Sequence, residues 1–222
     1  MRLRFGFIAP IALIAFFSAL PAARAQDLNS VLAKLDAAAK NFHTTTASFE
    51  FVTVQTDPIP DTDTLKGTAY YERQGTHFQM AAHVADHDGH PAAQAYIFSN
   101  GVLRESDSGK ESDARTYTQA GKYESYLMLG FGASGHDLQD KWDIKYLGAE
   151  TIDGVKTDKL ELVAKDPNVR SNIPKVTIWL DTSRAVSLKQ VFDEKDGTTR
   201  TCHYTNIKVN QPLPGNAFSF AK

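Results

Sequence analysis

The sequence predicts an α+β domain: one amphipathic helix followed by about ten antiparallel strands, with a few short helices between them. Three observations carry that prediction. Apolar residues recur at helical spacing near the start of the domain, at Leu28, Val31, Leu32, Leu35, Ala39 and Phe42. Most of the chain beyond Phe42 alternates or is rich in aromatic and β-branched residues, as strands require. The connections between these runs are short and carry turn residues, which suits meanders better than crossovers.

Ahead of the helix lies a segment of a different kind. Residues 1–25 of the 222 read as a secretory signal. Arg2 and Arg4 supply a basic start, Phe5 to Leu20 an apolar run interrupted at Pro10, and Ala23-Arg24-Ala25 a small-x-small cleavage site. The alternative is an uncleaved membrane anchor. No Cys lies near the cleavage site, so no thiol is available there for acylation. The expected destination is the periplasm, with full secretion as the other possibility. Residues 26–222 then form one domain of about 200 residues, a size that buries a substantial core. Lys and Arg total 24 against 26 Asp and Glu, and no basic stripe is present. This disfavours nucleic acid as a partner, and no later apolar run is long enough for a membrane helix.

Asp27 or Asn29 can cap the opening helix. Phe49 to Thr56, Thr64 to Gln74 and His77 to Val84 read as strands. Ala95 to Ser99 and Val102 to Glu105 flank Asn100-Gly101, a pair that accepts the positive φ angles of a two-residue hairpin. Ser106 to Asp113 is polar and predicts an exposed loop. Tyr123 to Phe131 and His136 to Trp142 predict short helices joined by a glycine-rich stretch. Trp142 to Ile152 turns at Asp153-Gly154 into Val155 to Lys165. A loop from Pro167 to Pro174 precedes strands at Val176 to Asp181, Val186 to Glu194 and Thr199 to Val209. The tail ends on Phe218-Ser219-Phe220.

Several strings in the second half resemble the LolA-like family of lipoprotein carriers. They are Gly130-Phe131-Gly132-x-Ser134-Gly135-x-x-Leu138 with Trp142, Leu147-Gly148-x-Glu150-x-x-Asp153-Gly154, Leu160-Glu161-Leu162 and Ile178-Trp179-Leu180-Asp181. Leu32, Leu35, Phe42 and Ser48-Phe49 are similar to the family's opening. The resemblance implies an incomplete, curved antiparallel β-barrel with helices covering its concave side. It also implies a cavity for acyl chains and, as partners, an acylated lipoprotein or lipid, an inner-membrane ABC transporter and an outer-membrane receptor. Arg73 aligns with the first Arg of the family's Arg-Pro-Gly-x-Phe-Arg-Trp-like segment, which makes it the lid-latch candidate. Glu72-Arg73-Gln74-Gly75-Thr76-His77-Phe78 lacks that segment's Pro and its second Arg-Trp.

Strand parity nominates the residues that would line such a cavity: Phe49 and Phe51, Phe78 and Met80, Tyr96 and Phe98, Leu160 and Leu162, Ile178 and Leu180, and Leu188. For any one of these residues taken singly, an ordinary packed core is the stronger reading. Burying a 16-carbon chain is worth ~12 kcal/mol at ~0.8 kcal/mol per CH₂, so a carrier needs a lid that offsets part of this. Tyr123 to Leu138 is the lid candidate, with Gly130, Gly132 and Gly135 as hinges and Leu127, Met128 and Phe131 touching ligand.

Other chemistries find less support. His83, Asp86, His87, Asp88 and His90 form a dense polar cluster, best read as a solvated loop; metal binding is its alternative. Cys202 cannot form an intramolecular disulfide, and adjacent strand residues point His203 to the opposite face, so a catalytic thiol is disfavoured. Ser134 lacks nucleophile-elbow spacing and suits a helix cap. No catalytic residues, metal or cofactor are expected, and the chain is expected to be a monomer. Two functions remain: a lipid or lipoprotein carrier, and a sensory or scaffolding protein that binds a protein partner without lipid transfer.

Overall fold

The computed structural model describes residues 20–75 and 77–221. Most of the predicted signal, residues 1–19, therefore lies outside the described residues. Helix α1 (Leu20–Ala39) runs on through Asp27 and Asn29, so neither caps its start. Seven strands follow: β1 (Thr44–Gln55), β2 (Asp61–Gln74), β3 (His77–His87), β4 (His90–Pro91), β5 (Ala95–Ser99), β6 (Val102–Ser106) and β7 (Arg115–Tyr117). A 3₁₀ turn at Ala120–Tyr123 leads into α2 (Glu124–Leu127) and α3 (Gly135–Lys141). The second half comprises β8 (Trp142–Ile152), β9 (Val155–Ala164), α4 (Pro167–Arg170), β10 (Lys175–Asp181), β11 (Val186–Asp193) and β12 (Thr199–Val209).

Among the described residues, twelve strands replace the predicted ten or so because β4 and β7 are too short to show alternation. The helix α4 occupies what reads as a plain loop; Asp166 caps it by accepting from the Asn168 N–H at 2.8 Å, with Pro167 in the first turn. Ser106, predicted exposed, is buried, its hydroxyl donating to the Lys110 carbonyl at 2.9 Å.

All strands join one antiparallel sheet in the order β7-β6-β5-β3-β2-β1-β12-β11-β10-β9-β8, with β4 attached to β3. The end strands β7 and β8 do not pair with each other, so the barrel stays open. The Asn100-Gly101 turn has φ values of 52° and 77°, and Asp153-Gly154 has 48° and 77°, the left-handed geometry that two-residue hairpins use.

Two separate packings divide the concave side. Over β8, β9 and β10, α1 and α3 supply Leu32, Leu35 and Leu138, which seal Trp142, Val176 and neighbouring residues. Leu160, Leu162, Ile178 and Leu180 all lie in this sealed half, at 0–1% exposure. Their nomination as cavity residues is corrected: two helices fill the space above them. The other half, over β1, β2, β3, β11 and β12, contains the candidate site. On the convex side, Phe218 and Phe220 of the tail cover Ala81, Ala95 and Ile97, and the Arg104 guanidinium sits 5.1 Å above the Phe220 ring.

Candidate functional site

Alternation along seven neighbouring strands, β6-β5-β3-β2-β1-β12-β11, builds a chamber of about 410 Å³. β1 contributes Phe49 and Phe51, β3 contributes Met80 and Val84, and β12 contributes Cys202 and Tyr204. Ala69 and Ala82 are cross-strand partners, and both face the space. Two methyl groups side by side leave room that larger residues would fill. Overhead, α2 is a single turn and presents only Tyr126 and Leu127. A one-turn roof over small floor residues explains why this half holds a chamber while the other is solid. The volume falls in the range of small-ligand sites.

Arg200 apart, the polar groups that line the chamber are neutral. The Tyr71 and Tyr204 hydroxyls lie 3.4 Å apart, and burial pushes both phenols upward. Burial also pushes the Cys202 thiol up to about 12, so it carries no thiolate near neutrality. His203 faces the other way, its Nε2 2.6 Å from Asp153 Oδ2. The chamber therefore has the character of a solvent for hydrocarbon.

The segment between α2 and α3 is firmly held. The Gly132 N–H donates to the Ala185 carbonyl at 2.9 Å, the Ser187 N–H to the Gly130 carbonyl at 2.6 Å, and the Gln190 side-chain amide to the Leu129 carbonyl at 2.5 Å. Arg73 Nη1 donates to the Gly132 carbonyl at 2.5 Å, and its guanidinium lies 3.3 Å from the Asp137 carboxylate. Asp137 in turn accepts from the Ser134 N–H at 3.0 Å, while Ser134 Oγ accepts from the Asp137 N–H, closing a capping box on α3. The lid-latch candidate thus reaches across from β2 to this segment.

The glycines serve close approach more than hinging. A Cβ at Gly130 would lie 2.4 Å from the Ser187 Cβ, one at Gly132 2.3 Å from the Phe42 ring, and one at Gly135 2.4 Å from the Leu32 carbonyl. Phe131, predicted to touch ligand, is fully buried: it stacks on Tyr71 and meets Tyr204 edge-on.

Of the nominated residues, Phe49, Phe51, Met80, Tyr96 and Leu127 come together around the chamber. Phe78, Phe98 and Leu188 are buried in the packing around it and do not line it. Met128 lines a different groove, of about 680 Å³, together with Arg73 and Asp137. Sequence reading missed Leu65, Tyr71, Arg200 and Tyr204 as lining residues. Parity from Phe49 and Cys202 across the sheet would have found Tyr204 and Arg200, whereas the Tyr70-Tyr71 doublet hides which tyrosine faces inward.

The polar cluster of His83 to His90 divides. A bulge opposite Lys66 and Gly67 adds one residue to β3 and reverses its parity. His83 bonds the Ala217 carbonyl at 2.9 Å under the tail. His87 hydrogen-bonds Asp63 and has its Nε2 3.7 Å from Asp88 Oδ2, and the Asp63 bond raises its affinity for a proton. Asp63, His87 and Asp88 hold potential ligand atoms within 4.8 Å of one another, a grouping the linear cluster does not contain.

No family model matches the chain, and no curated protein does. Solved structures resemble it over most of its length. MucB in the Pseudomonas aeruginosa MucA/MucB complex aligns at 13% identity and a TM-score of 0.51, covering 88% of this chain and 61% of that one. This chain therefore spans about three fifths of MucB. An uncharacterised conserved protein from Thermus thermophilus aligns at 10% identity and a TM-score of 0.51, covering 89% and 94%. A LolA superfamily protein from Nitrosomonas europaea aligns at 16% identity and a TM-score of 0.40, covering 86% and 97%. Among the described residues, no helix is long and apolar enough to cross a membrane.

Proposed function

We propose that this chain, whose fold is LolA-like, binds an acyl chain of a lipid or lipoprotein in the chamber and carries it through the periplasm. The observation that carries the reading is the 410 Å³ space walled by Phe49, Phe51, Met80 and Val84 and floored by Ala69 and Ala82. A hydrocarbon tail gains ~0.8 kcal/mol per buried CH₂ there. Displacing Leu127 from its resting contacts offsets part of that gain and keeps binding reversible. Arg73 serves as the latch that holds the roof's anchor to β2. An ABC exporter and an outer-membrane receptor are the docking partners such a carrier would use.

The second reading is a protein-binding module that transfers no lipid. Its support is the fold likeness to MucB, which is solved in complex with MucA. The two separate by what the purified protein holds. Native mass spectrometry of the wild type is expected to detect bound acyl lipid, and a fluorescent fatty-acid probe is expected to bind it. Ala82→Phe, which fills the floor, is expected to lose both while remaining folded. A wild type that neither retains lipid nor binds the probe overturns the carrier reading, as does an Ala82→Phe variant that binds like the wild type.

A further inference from the structure

The apolar chamber has a polar neighbour. A second recess, of about 650 Å³, adjoins it, and Tyr126, Leu127 and Arg200 line both spaces. Arg200 is the second residue of β12 and pairs with Thr53 and Phe192 near the ends of their strands, so it stands at the rim. The recess adds Asn172, Glu194, Lys195 and Asp196. The Lys195 N–H donates to the Asn172 carbonyl at 3.0 Å, tying the β11–β12 turn to the loop after α4. The ligand space therefore has two parts: hydrocarbon-like inside, charged at the mouth.

The charges at the mouth are two of each sign. Arg200 Nε lies 3.1 Å from Glu194 Oε1, and the two side chains are unequally exposed, 45% for Arg200 against 17% for Glu194. A ligand carrying only negative charge would draw Arg200 away and leave a largely buried carboxylate without its partner, an unfavourable exchange. A ligand carrying only positive charge would do the converse to Arg200. A headgroup with both charges can replace each member of the pair. Asp196 is fixed as an anion by the Thr198 N–H at 2.9 Å, and Lys195 beside it supplies the second cation.

We infer that the mouth accepts a zwitterionic headgroup, a phosphodiester bearing an ammonium, with the phosphate on Arg200 and Lys195 and the ammonium on Glu194 and Asp196. The inference rests on the reading of the chamber as an acyl site and names the lipid class that site would take. Guanidinium and ammonium donors match phosphate oxygens, and carboxylates match the three donors of a primary ammonium.

The test displaces a fluorescent fatty-acid probe from the full chain with single-chain lipids of one acyl length, all below their micelle concentrations. Lysophosphatidylethanolamine is expected to compete at a concentration at least about tenfold lower than lysophosphatidylglycerol or the free fatty acid. Glu194→Gln is expected to narrow the gap between the two phospholipids. Arg200→Gln is expected to weaken both phospholipids more than it weakens a neutral monoacylglycerol. Equal competition by all headgroups overturns the headgroup assignment and leaves the chamber reading standing, as does a preference for the purely anionic lipid. Failure of the probe to bind the wild type overturns the chamber reading and this inference with it. The headgroup series on the wild type decides the matter even if a variant fails to fold.

Discussion

Tyr71 and Phe131 stack face to face, their ring centroids 3.9 Å apart and their planes 7° from parallel. The pair joins β2 to the segment between α2 and α3 beside the chamber, which Tyr71 lines, and the isolated bridge of Phe131 to Val186 fastens the same point to β11. Residues 129–132 are thus fastened to the sheet behind the chamber. The part left to open is the single turn of α2, with Leu127 on its chamber side.

Truncation separates these two roles. Phe131→Ala removes a ring that is fully buried and is expected to lower stability by ~3–5 kcal/mol, read as a shift in the urea midpoint at unchanged slope. A shift below ~1 kcal/mol would place Phe131 in a loosely packed, mobile lid instead.

Leu127→Asp tests the roof. The residue is only partly buried, so the fold is expected to tolerate the change better than it tolerates Phe131→Ala. A carboxylate facing the chamber is expected to weaken fluorescent acyl-probe binding by more than about tenfold, the loss of one leucine contact and more. Titration of the probe into both proteins checks it, with unchanged affinity as the outcome that removes Leu127 from the site.

Gly132→Ala tests whether the glycines work by freedom or by fit. Gly132 sits at φ 71°, and an added methyl would meet the Phe42 ring at 2.3 Å. Left-handed strain of ~1–2 kcal/mol adds to overpacking of ~1–3 kcal/mol. A loss of about 2–5 kcal/mol is expected in chemical unfolding, whereas a mere hinge would show slower probe entry with little loss of stability.

The sheet was legible because alternation, Asn-Gly and Asp-Gly are local signals. The chamber was not, and the reason is specific. Phe49 and Met80 look like Leu160 and Ile178 in any reading of parity, since each alternates on one face of a strand. They differ only in what lies above them: α1 and α3 cover one set, and the single turn of α2 covers the other. Cover is a tertiary property. His83 and His87 taught a related lesson, because one inserted residue at the β3 bulge sent them to opposite faces. Arg73 was found through a family resemblance, and its contacts with Gly132 and Asp137 come from β2 passing beside the start of α3.

The latch carries its own pH dependence. Burial alone would raise the Asp137 carboxyl, but the Ser134 N–H and hydroxyl, together with the Arg73 guanidinium, outweigh it and hold the group below the usual carboxylate range. Its folded value lies under its unfolded value of ~3.9, so ionised Asp137 stabilises the fold above about pH 4. That contribution is lost as pH falls through the folded value. Arg73→Gln removes one of the groups that favour the anion, so the loss is expected to begin at higher pH. Asp137→Asn is expected to flatten the acid side of the stability profile and to leave its neutral side flat but lower. Urea unfolding of the three proteins between pH 2 and 7 measures this directly. Parallel acid limbs for the wild type and Asp137→Asn would mean that the carboxylate contributes nothing through its charge, and that Arg73 holds the segment by its bond to the Gly132 carbonyl alone.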